Sequence, residues 1–587
     1  MREFNAGQLS LNGMLWQTEE PSQRLVQTLV QKVGVSDLVA SLLAIRGIDS
    51  DNAFTYLKPT LKCDLPNPNS LKDMEKAAQR VAQAILNKEP IGIMGDYDVD
   101  GATSSAILKM FLESTGTKTY VFIPDREDGY GPNAQKMKEY KDLGCSVVLT
   151  ADCGTTAYTP IETGTQLGLD VIILDHHNAE ASLPNCYAVV NPKRLDEPLT
   201  HPCRQLAACG VVFLFVIALN AELRKQGFYH EKTEPNLMQY LDLVAFGTVC
   251  DVVKLQGVNR LLVKSGLRQF HLLQNKGLKA LCEKVQINEP IQTYHLGYIL
   301  GPRVNACGRV GKSDLGMKLL SCGDDIQTTL LAEELESLNL ARREIEADVM
   351  LQAIEQVESV PQEYPFLVVK GENWHQGVVG IVAGRLKDKY NLPVFAMTIE
   401  GEEVKGSSRS VSGIDIGTII MNAMNKGLIV RGGGHPMAAG FSLKLDQLDG
   451  FVAYLKQTIT PDLLPESLSI LQADGILSLG GITWELLEDL EKLAPFGEGN
   501  PEPKFIIPDV CLNHINLLKN GHIGCAFTDL GGHRLNAIAF KAADTEMGQA
   551  FLKGLGKKFH LLGTLKKDTW KGQSKVQFQI IDAIQIS

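Results

Sequence analysis

The spacing of hydrophobic and polar residues changes along this chain of 587 residues. Residues 1–60 place apolar side chains at roughly helical spacing in "QRLVQTLVQKVG" and "SDLVASLLAIRG", and both stretches end at a glycine. This pattern predicts short amphipathic helices. From about residue 90 onward, short apolar runs alternate with helical stretches. That alternation predicts βαβ units and a mostly parallel sheet.

The strands predicted in this sheet end in glycine, proline, acids or histidine. They are "PIGIMG", "TKTYVFIP", "CSVVLTA" and "LDVIIL", and helical stretches such as "TSSAILKMFLESTG" lie between them. Residues 310–358 contain a segment rich in Ala, Leu and Glu with charge pairs four residues apart. It predicts one long helix, which we expect to connect two lobes.

The last part of the chain has a strand pattern. A second α/β unit is followed by "PFGEGNPEP" (495–503), which has the composition of a turn-rich linker, and then by short strands such as "KFIIPDVCL" and "VQFQIIDAIQI". These predict a small all-β domain, either a barrel or a sandwich. We therefore expect five parts: a helical segment (1–45), a parallel-sheet domain (46–270), a helical connector (271–358), a smaller α/β domain (359–460) and the all-β domain (461–587).

Composition narrows the class of protein. Hydrophobic residues make up 44% and charged residues 21%, as in ordinary globular proteins. No apolar stretch approaches the ~20 residues of a membrane span, and the first residues have no apolar signal core. The twelve cysteines are scattered without a CxxC pair. This argues against a disulfide framework or structural zinc site and predicts a cytoplasmic location.

The formal net charge of −11 weakly disfavours a nucleic-acid partner, because phosphate binders usually carry excess Lys and Arg. Net charge is a sum over the whole chain, however. A carboxylate-rich site and acidic outer faces can coexist with a basic groove.

Acids and histidines follow three of the predicted strands. "GDYDVDG" carries Asp96, Asp98 and Asp100 at a spacing of two, "TADCG" carries Asp152, and "LDHH" carries Asp175, His176 and His177; Asp251 lies within the apolar segment "LVAFGTVCDVVKL". Ligands of an open parallel sheet bind at the carboxyl ends of its strands. We therefore expect these side chains to converge.

Several carboxylates in one site repel each other unless a cation is present. This number of carboxylates plus a histidine suits two cations, Mg²⁺ or Mn²⁺, which could activate a water and promote displacement at phosphorus. Each motif alone has a simpler interpretation: a solvated turn, a helix N-cap, a chance pair of histidines, or a helix-terminal acid at Asp251. Together, acids and histidines at three successive strand ends favour the metal site.

The second lobe offers groups that bind phosphate. "GSSRS" surrounds Arg409 with hydroxyl groups, including that of Ser407, and arginine forms a planar fork that matches phosphate oxygens. The glycine-rich "RGGGHP" (431–436) predicts either an anion-binding backbone or a flexible turn before a helix. Arg126, Arg303 and Arg309 lie in segments that resemble loops, where they add positive charge to a site or are simply solvated.

The clearest basic stretch is 556–575, with six lysines interleaved with Phe559 and Trp570. It fits a groove that binds a single nucleic-acid strand by charge and stacking. An exposed hairpin explains it nearly as well.

The four metal-site motifs resemble those of the DHH phosphoesterase superfamily in order, spacing and apolar flanks. Within it, "IPDREDGYG", "GPRVNACGRVG", "NWHQGVVGIVAGRL", "GSSRS", "GGGHPMAAGF" and "APFGEGNPEP" resemble the RecJ family of bacterial single-strand-specific 5′→3′ exonucleases. The resemblance covers about residues 40 to 587. It implies a parallel-sheet DHH domain, a long helix, an α/β DHHA1 domain and a C-terminal OB-fold-like domain.

The resemblance also implies roles for individual residues. Asp98 and Asp100 would each hold a different metal ion, Asp152 would bridge the two ions, and His176 and Asp251 would complete the contacts of the second. Asp96 would contact an ion directly or through another group. Asp175 would orient its neighbours, and His177 would contact the scissile phosphate.

A pocket for the 5′-terminal phosphate would set the polarity of cleavage. The resemblance builds it from Arg126, Arg303 or Arg309, Ser407 and Arg409, and adds Asn305 and His435 as further contacts to the strand. It implies single-strand-binding protein and a RecQ-type helicase as partners. No oligomerisation signal is evident, so we expect a monomer.

The residues predict a two-metal phosphodiesterase, and the resemblance implies that it removes mononucleotides from the 5′ end of single-stranded DNA in recombination and repair. One alternative is a phosphodiesterase of the same superfamily for nanoRNA or cyclic dinucleotides, although that leaves the C-terminal domain unexplained. Another is a non-catalytic DNA-binding scaffold similar to Cdc45. The complete set of ligand positions argues against the scaffold.

Overall fold

The computed structural model describes residues 2–4, 7–126, 128–129, 131–359, 363–463, 470–568 and 575–586. The chain forms two compact units. The larger consists of Asn67–Asp251 and Gly266–Glu466; the smaller consists of Met1–Pro66, Val252–Ser265 and Ser467–Ser587. Among the described residues, none of the helices combines the length and apolar composition that a membrane span requires.

Strands and helices are numbered along the chain. The strands are β1 (Arg2–Glu3), β2 (Leu15–Thr18), β3 (Ile91–Gly95), β4 (Thr119–Phe122), β5 (Val147–Ala151), β6 (Asp170–Leu174), β7 (Ala188–Val190), β8 (Leu367–Glu372), β9 (Val394–Glu400), β10 (Glu403–Arg409), β11 (Arg431–His435), β12 (Ala438–Lys444), β13 (Ile470–Ala473), β14 (Gly475–Ile476), β15 (Phe505–Leu517), β16 (Ile523–Thr528), β17 (Arg534–Ala539), β18 (Lys558–Asp568) and β19 (Lys575–Ile586). The α-helices are α1 (Gln23–Val33), α2 (Asp37–Ile45), α3 (Ala53–Leu57), α4 (Leu61–Asp64), α5 (Met74–Leu86), α6 (Val99–Ser114), α7 (Ala134–Asp142), α8 (Tyr158–Gln166), α9 (Ala208–Lys225), α10 (Leu241–Cys250), α11 (Gly257–Phe270), α12 (Lys276–Lys284), α13 (Gly301–Val310), α14 (Leu315–Ser321), α15 (Asp325–Ser359), α16 (Gln376–Tyr390), α17 (Ile416–Asn425), α18 (Leu448–Thr458), α19 (Trp484–Glu491) and α20 (Glu546–Leu552).

The larger unit begins with a five-stranded sheet in the order β4-β3-β5-β6-β7. Every neighbouring pair in it is parallel, which confirms the predicted parallel sheet. All residues of β3 and β5 are buried. Parallel strands covered on both faces read as continuous apolar runs, which is why their sequences do not alternate.

The predicted long helix is α15, which has 35 residues and is therefore about 50 Å long. It packs against α12, α13 and α14 and also against α16 and β8. It thus connects the parallel-sheet lobe to a second sheet in the order β11-β12-β10-β9-β8. In this second sheet β8 and β9 are parallel, and the other neighbours are antiparallel.

The smaller unit contains a six-stranded sheet in the order β14-β15-β16-β17-β19-β18. An additional pairing of β15 with β18 closes it. The structure therefore selects the barrel over the sandwich, the two forms that the strand pattern left open. Helices α19 and α20 accompany the barrel strands, so this region is not purely β.

The N-terminal residues belong to the same compact unit as the barrel. Helices α1 and α2 form as predicted, but Leu15–Thr18 is a strand, so the expectation of helices alone over residues 1–60 is wrong there. Trp16 is fully buried and its Nε1 donates a hydrogen bond to Asp582 Oδ2 at 2.9 Å. Leu29 and Leu42 share one apolar core with the barrel.

The turn-rich segment "PFGEGNPEP" is part of this unit and not a linker. Asn500 is 1% exposed, and its Nδ2 donates to the carbonyl oxygens of Leu493 and Pro495. Polar turn residues can be buried when their hydrogen bonds are satisfied internally. Composition alone could not reveal this.

The sequence predicts that the basic stretch 556–575 lines a strand groove with Phe559 and Trp570 stacked on bases, and the structure contradicts this for Phe559. Phe559 is fully buried and packs against Phe551, with ring centroids 5.1 Å apart. It cannot stack on a base, so its predicted place in a strand groove is wrong. Trp570 lies outside the described residues.

We expect Phe559→Ala to destabilise the smaller unit by about 3–5 kcal/mol, because the change opens a cavity in a filled core. Scanning calorimetry should show the transition of that unit moving to lower temperature. Phe540→Ala is the matched control, since Phe540 is 51% exposed. Equal effects of the two substitutions would contradict the assigned core.

Candidate metal centre and phosphate-binding residues

The strands β3, β5 and β6 end level with one another. Gly95 is paired with Ala151, and Ala151 is paired with Leu174. The next residue on each strand is an aspartate: Asp96, Asp152 and Asp175. The predicted convergence at one edge of the sheet is therefore observed.

Two groups of potential metal ligands lie at this edge. The first is Asp96, Asp98 and Asp152, and the second is Asp100, His176 and Asp251. Within each group, one ligand atom per residue lies within 4.8 Å of the others. A third group consists of Asp152, His176 and His177, and it shares Asp152 with the first group and His176 with the second.

The first turn of α6 fixes the loop that carries three of these acids. Asp98 is the N-cap of α6 and accepts a hydrogen bond from the Gly101 backbone N–H at 3.0 Å. The simpler interpretation of Asp98 as an N-cap is therefore correct and compatible with the metal group. A Cβ atom on Gly101 would lie 2.4 Å from the carbonyl oxygen of Asp96, so the loop closes only around a glycine.

Asp100 is held by the start of another helix. Its two carboxylate oxygens accept hydrogen bonds from the backbone N–H groups of Ala208 and Cys209, at 2.7 and 2.9 Å, in the first turn of α9. Helix α10 packs close by, because a Cβ on Gly247 would lie 2.9 Å from Asp100 Oδ1. This close approach brings Asp251, at the end of α10, to the site.

The tautomer of His176 follows from one contact. Its Nδ1 lies 3.1 Å from the carbonyl oxygen of Leu206, which can only accept, so Nδ1 carries the proton. Its Nε2 then presents a lone pair 3.3 Å from Asp152 Oδ1 and 3.9 Å from Asp100 Oδ2. A neutral imidazole fixed from behind in this way is the form that binds metal ions.

His177 and Asp175 form a charged pair. Asp175 Oδ1 accepts from His177 Nδ1 at 2.8 Å, and its Oδ2 accepts from the Thr155 N–H at 3.0 Å. Burial opposes the charge of Asp175, but these hydrogen bonds, above all that from His177, hold its pKa below the usual range. Burial likewise opposes the charge of His177, yet Asp175 raises its pKa to about 9.

Burial and mutual repulsion act on the remaining carboxyls. Burial, reinforced by the charge of Asp98, raises the pKa of Asp96 to about 8; burial and the charge of Asp100 raise the pKa of Asp251 to about 9. Asp251 Oδ2 is buried and no hydrogen-bond donor reaches it within the described part of the chain. These carboxylates and one imidazole fit divalent cations, which would satisfy the oxygens and cancel the repulsion.

A group of arginines lies beside the segment that carries Asp96, Asp98 and Asp100, which we call the metal loop. The Arg126 guanidinium carbon is 4.5 Å from the centre of the Tyr97 ring, and its Nε donates to the Gly308 carbonyl at 2.6 Å. Arg309 donates to the Gly377 carbonyl at 2.9 Å. Burial, and next the charge of Arg126, lower the pKa of Arg309 to about 10. Cations held this close together favour an anionic ligand.

Arg409 of β10 also belongs to this group, so the arginine group consists of Arg126, Arg309 and Arg409. It donates to Ser407 Oγ at 3.0 Å, and burial lowers its pKa. A Cβ on Gly380 of α16 would lie 3.0 Å from Ser407 Oγ and 3.3 Å from the Arg409 guanidinium. The charge of Arg409 also contributes to the lowered pKa of Arg309, so the two arginines are neighbours.

Other predicted strand-binding residues are placed differently. Arg303 and Arg309 lie on α13, so the expectation that they occupy loops is wrong. Arg303 forms an ion pair with Glu336, whereas Arg309 lies among the other arginines. Asn305 Oδ1 accepts from the Val99 N–H at 3.1 Å and so supports the metal loop.

The glycine-rich "RGGGHP" is the edge strand β11, not a turn before a helix. A Cβ on Gly434 would lie 2.3 Å from the Ala438 carbonyl oxygen, whereas Gly433 has open space. His435 is exposed at the end of this strand.

Two residues near the metal groups were not predicted. Asn191 follows β7 and donates from Nδ2 to the carbonyl oxygen of His177 and to Thr155 Oγ1, both at 2.8 Å. Lys193 is near enough to Asp251 and Asp175 for their charges to raise its pKa, but burial outweighs them and lowers the pKa. Their position after an apolar run in "YAVVNPK" is the same signal that identified Asp152.

Three ranges of this chain match known protein domains. Residues 90–248 match the DHH family N-terminal domain, 363–460 the DHHA1 domain and 473–582 the RecJ OB domain. A single-stranded-DNA-specific exonuclease RecJ from Bacillus subtilis is 32% identical over 97% of this chain and 71% of its own length. The chain belongs to the RecJ family.

Other RecJ proteins are similarly close. The RecJ of Escherichia coli is 34% identical over 86% of this chain and 89% of its own length. The crystal structure of RecJ in complex with Mn²⁺ from Thermus thermophilus has a TM-score of 0.81 and 27% identity, covering 98% of this chain and 80% of that one. The matched ranges lie inside the domains expected from the sequence, whose exact boundaries stay a prediction.

Adding Mn²⁺ should stabilise the protein more as the pH rises from about 5 to 9. Without a cation, Asp96 and Asp251 hold protons up to about pH 8 and 9 in the folded protein, but release them near 4 when unfolded. The metal-free protein therefore loses stability as the pH rises, and the deprotonated ligands then bind cations better.

Thermal unfolding midpoints with EDTA and with Mn²⁺, measured across this pH range, check the expectation. Asp251→Asn should make the difference between the two midpoints smaller and flatter. A stabilisation by Mn²⁺ that does not vary with pH would contradict it.

Proposed function

We propose that this chain hydrolyses single-stranded DNA from its 5′ end to mononucleotides, with two divalent cations, Mn²⁺ or Mg²⁺. The observation that carries the proposal is the pair of ligand groups at one edge of the sheet, in a member of a family of single-strand-specific exonucleases. Asp152 belongs to the first group and its Oδ1 lies 3.3 Å from His176 Nε2 of the second, so it would contact both ions. Asp96 belongs to the first group, which supports a direct contact with its ion.

Two divalent cations supply an activated water and stabilisation of charge at the phosphorus. The protein's own groups position the reaction around them. Asp175 fixes His177 so that its Nδ1–H is occupied and Nε2–H points away from Asp175. Asp175 raises the pKa of His177 to about 9 in the metal-free site, and a protonated His177 would donate its Nε2–H to a scissile phosphate oxygen as negative charge develops there.

The polarity of cleavage would come from the arginine group. Arg126, Arg309 and Arg409 with Ser407 offer charged donors and a hydroxyl to a terminal phosphate, which carries more charge than an internal one. Arg303 is already paired with Glu336, so the contacts favour Arg309 in this role. Asn305, between Arg309 and the metal loop, would set the distance from the terminal phosphate to the metal ions.

Selectivity for single strands would follow from geometry. The two lobes joined by α15 could admit one strand and exclude a duplex without reading bases. His435, exposed on β11, would contact the strand from the second lobe, and the barrel would add an OB-type binding surface. Action in recombination and repair, a cytoplasmic location, a monomeric state, and the partners single-strand-binding protein and a RecQ-type helicase remain part of this proposal.

Asp152→Asn should lower the rate roughly a hundredfold or more, since a metal ligand contributes several kcal/mol to transition-state stabilisation. Asparagine tolerates the positive φ of 63° at this position, so the fold should be retained. The assay is mononucleotide release from a 3′-labelled single strand with Mn²⁺. Asp142→Asn is the control, because α7 ends there, before the amino end of β5 and away from the site.

Failure of the native protein to cleave, with strand binding retained, would indicate a scaffold. Cleavage of dinucleotides alone would indicate the small-substrate enzyme. Either result would contradict the proposed function.

Arg409→Ala should abolish the preference for a 5′-phosphate over a 5′-hydroxyl. The ratio of kcat/KM for the two ends should fall to near one, mainly through slower cleavage of the phosphorylated strand. Arg224→Ala serves as the control, because Arg224 lies in the last turn of α9, 16 residues or about 24 Å from Ala208. An unchanged preference in Arg409→Ala would place the terminal phosphate elsewhere.

A further inference from the structure

Two tyrosines stack on each other at the surface of the larger unit. Tyr294 is 58% and Tyr298 is 75% exposed, and their ring centroids lie 5.4 Å apart with planes 27° from parallel. Packing in the core explains neither ring. An exposed aromatic pair of this kind suggests a surface that contacts a ligand.

The tyrosines belong to an unusual helical segment. His295–Leu300 is a π-helix and runs directly into α13. Such segments are rare and occur frequently at functional sites. The segment packs on α10, because Cys250 Sγ donates to the carbonyl oxygen of Leu296 at 3.4 Å, and Cys250 precedes the predicted metal ligand Asp251. The tyrosines therefore belong to a segment that contacts the helix leading to the metal groups.

Spacing along the helix places the tyrosines in line with the site. The residues Tyr294, Tyr298, Pro302, Asn305 and Arg309 follow one another at intervals of four, four, three and four, and all are at least partly exposed. Residues three and four apart share one face in α13, and an interval of four is close to one full turn in the π-helix, so these residues lie along one side of the combined helix. Asn305 on this face bonds to the metal loop, and Arg309 lies in the arginine group.

The order of residues along this face places Asn305 between Arg309 and the tyrosines. At about 1.5 Å per residue, Asn305 lies ~6 Å from Arg309, and Tyr298 lies ~10 Å beyond Asn305. With the proposed terminal phosphate at Arg309 and the scissile phosphate at the metal loop, a strand that continued in the same direction would reach the tyrosines on the 3′ side of the cleaved bond.

We propose that Tyr294 and Tyr298 form a stacking platform for bases of the strand on the 3′ side of the scissile phosphate. The inference rests on the proposed function. At about 3.4 Å per stacked nucleotide, the platform meets a base within roughly three nucleotides of the cleaved bond. Stacking accepts any base, so the platform holds the remaining strand without imposing a sequence.

The test compares wild type, Tyr298→Ala and Tyr298→Phe on single strands of twelve nucleotides with Mn²⁺. We expect Tyr298→Ala to raise KM about tenfold, the typical effect of losing one base–aromatic stack, and to leave kcat nearly unchanged. Tyr298→Phe keeps the ring and should behave as wild type. Phe54→Ala removes an exposed ring from α3, outside the barrel strands, and should not alter KM.

A set of substrates with one abasic position, moved from the second to the sixth nucleotide, locates the base. In wild type the abasic site should raise KM most at one or two of these positions. In Tyr298→Ala the same substrates should show no further increase, because the two changes remove one interaction.

Independent, multiplicative effects of the abasic site and the substitution would overturn the platform. The platform would also be contradicted if Tyr298→Ala had the same KM as wild type. It would be contradicted as well if Tyr298→Phe and Tyr298→Ala lost kcat to the same extent. If wild type does not cleave the twelve-nucleotide strand at all, the proposed function fails first. Cleavage by both proteins with equal KM rejects the platform alone.

Discussion

The mutual repulsion of buried carboxylates is the constraint on which the site depends. Parallel strands that end level with one another place Asp96, Asp152 and Asp175 along one edge, and the loop after β3 and the first turn of α6 add Asp98 and Asp100. Burial, and next the weakly screened repulsion between neighbouring carboxylates, raises the pKa of Asp96 and of Asp152. A proton, a cation or a fixed donor must relieve the repulsion in such a group. The protein uses donors for Asp175 and Asp100 and leaves Asp251 Oδ2 for a cation.

Helices approach this edge closely because glycines allow it. Gly101 and Gly247 have no room for a Cβ atom next to Asp96 and Asp100. The same condition extends through α13 and α16, where Gly308 packs on Tyr97 and Gly377 packs on Arg309. Metal loop and arginine group are thereby joined by direct packing. The proposed release of single nucleotides would depend on this fixed distance.

The sequence was informative where residue type and spacing express the local physics. Apolar runs followed by acids predicted the sheet and its ligand groups, and the glycine after each N-terminal helix marked its end. The sequence was misleading where distant contacts decide. Phe559 lies beside lysines in the chain but in the barrel core in space, and Arg303 is paired with Glu336 whereas Arg309 lies among other arginines. Asn191 was missed because its strand is three residues long.

The core shared by α1, α2 and the barrel affects how this protein can be divided. Strand β2 pairs with β13, and Trp16 is tied to Asp582, although more than 450 residues separate the members of each pair. A gene fragment that begins at the barrel would leave the contacts of Trp16, Leu29 and Leu42 open to water. In evolution and in the laboratory, the first 66 residues and the barrel should therefore be inherited, exchanged or deleted together.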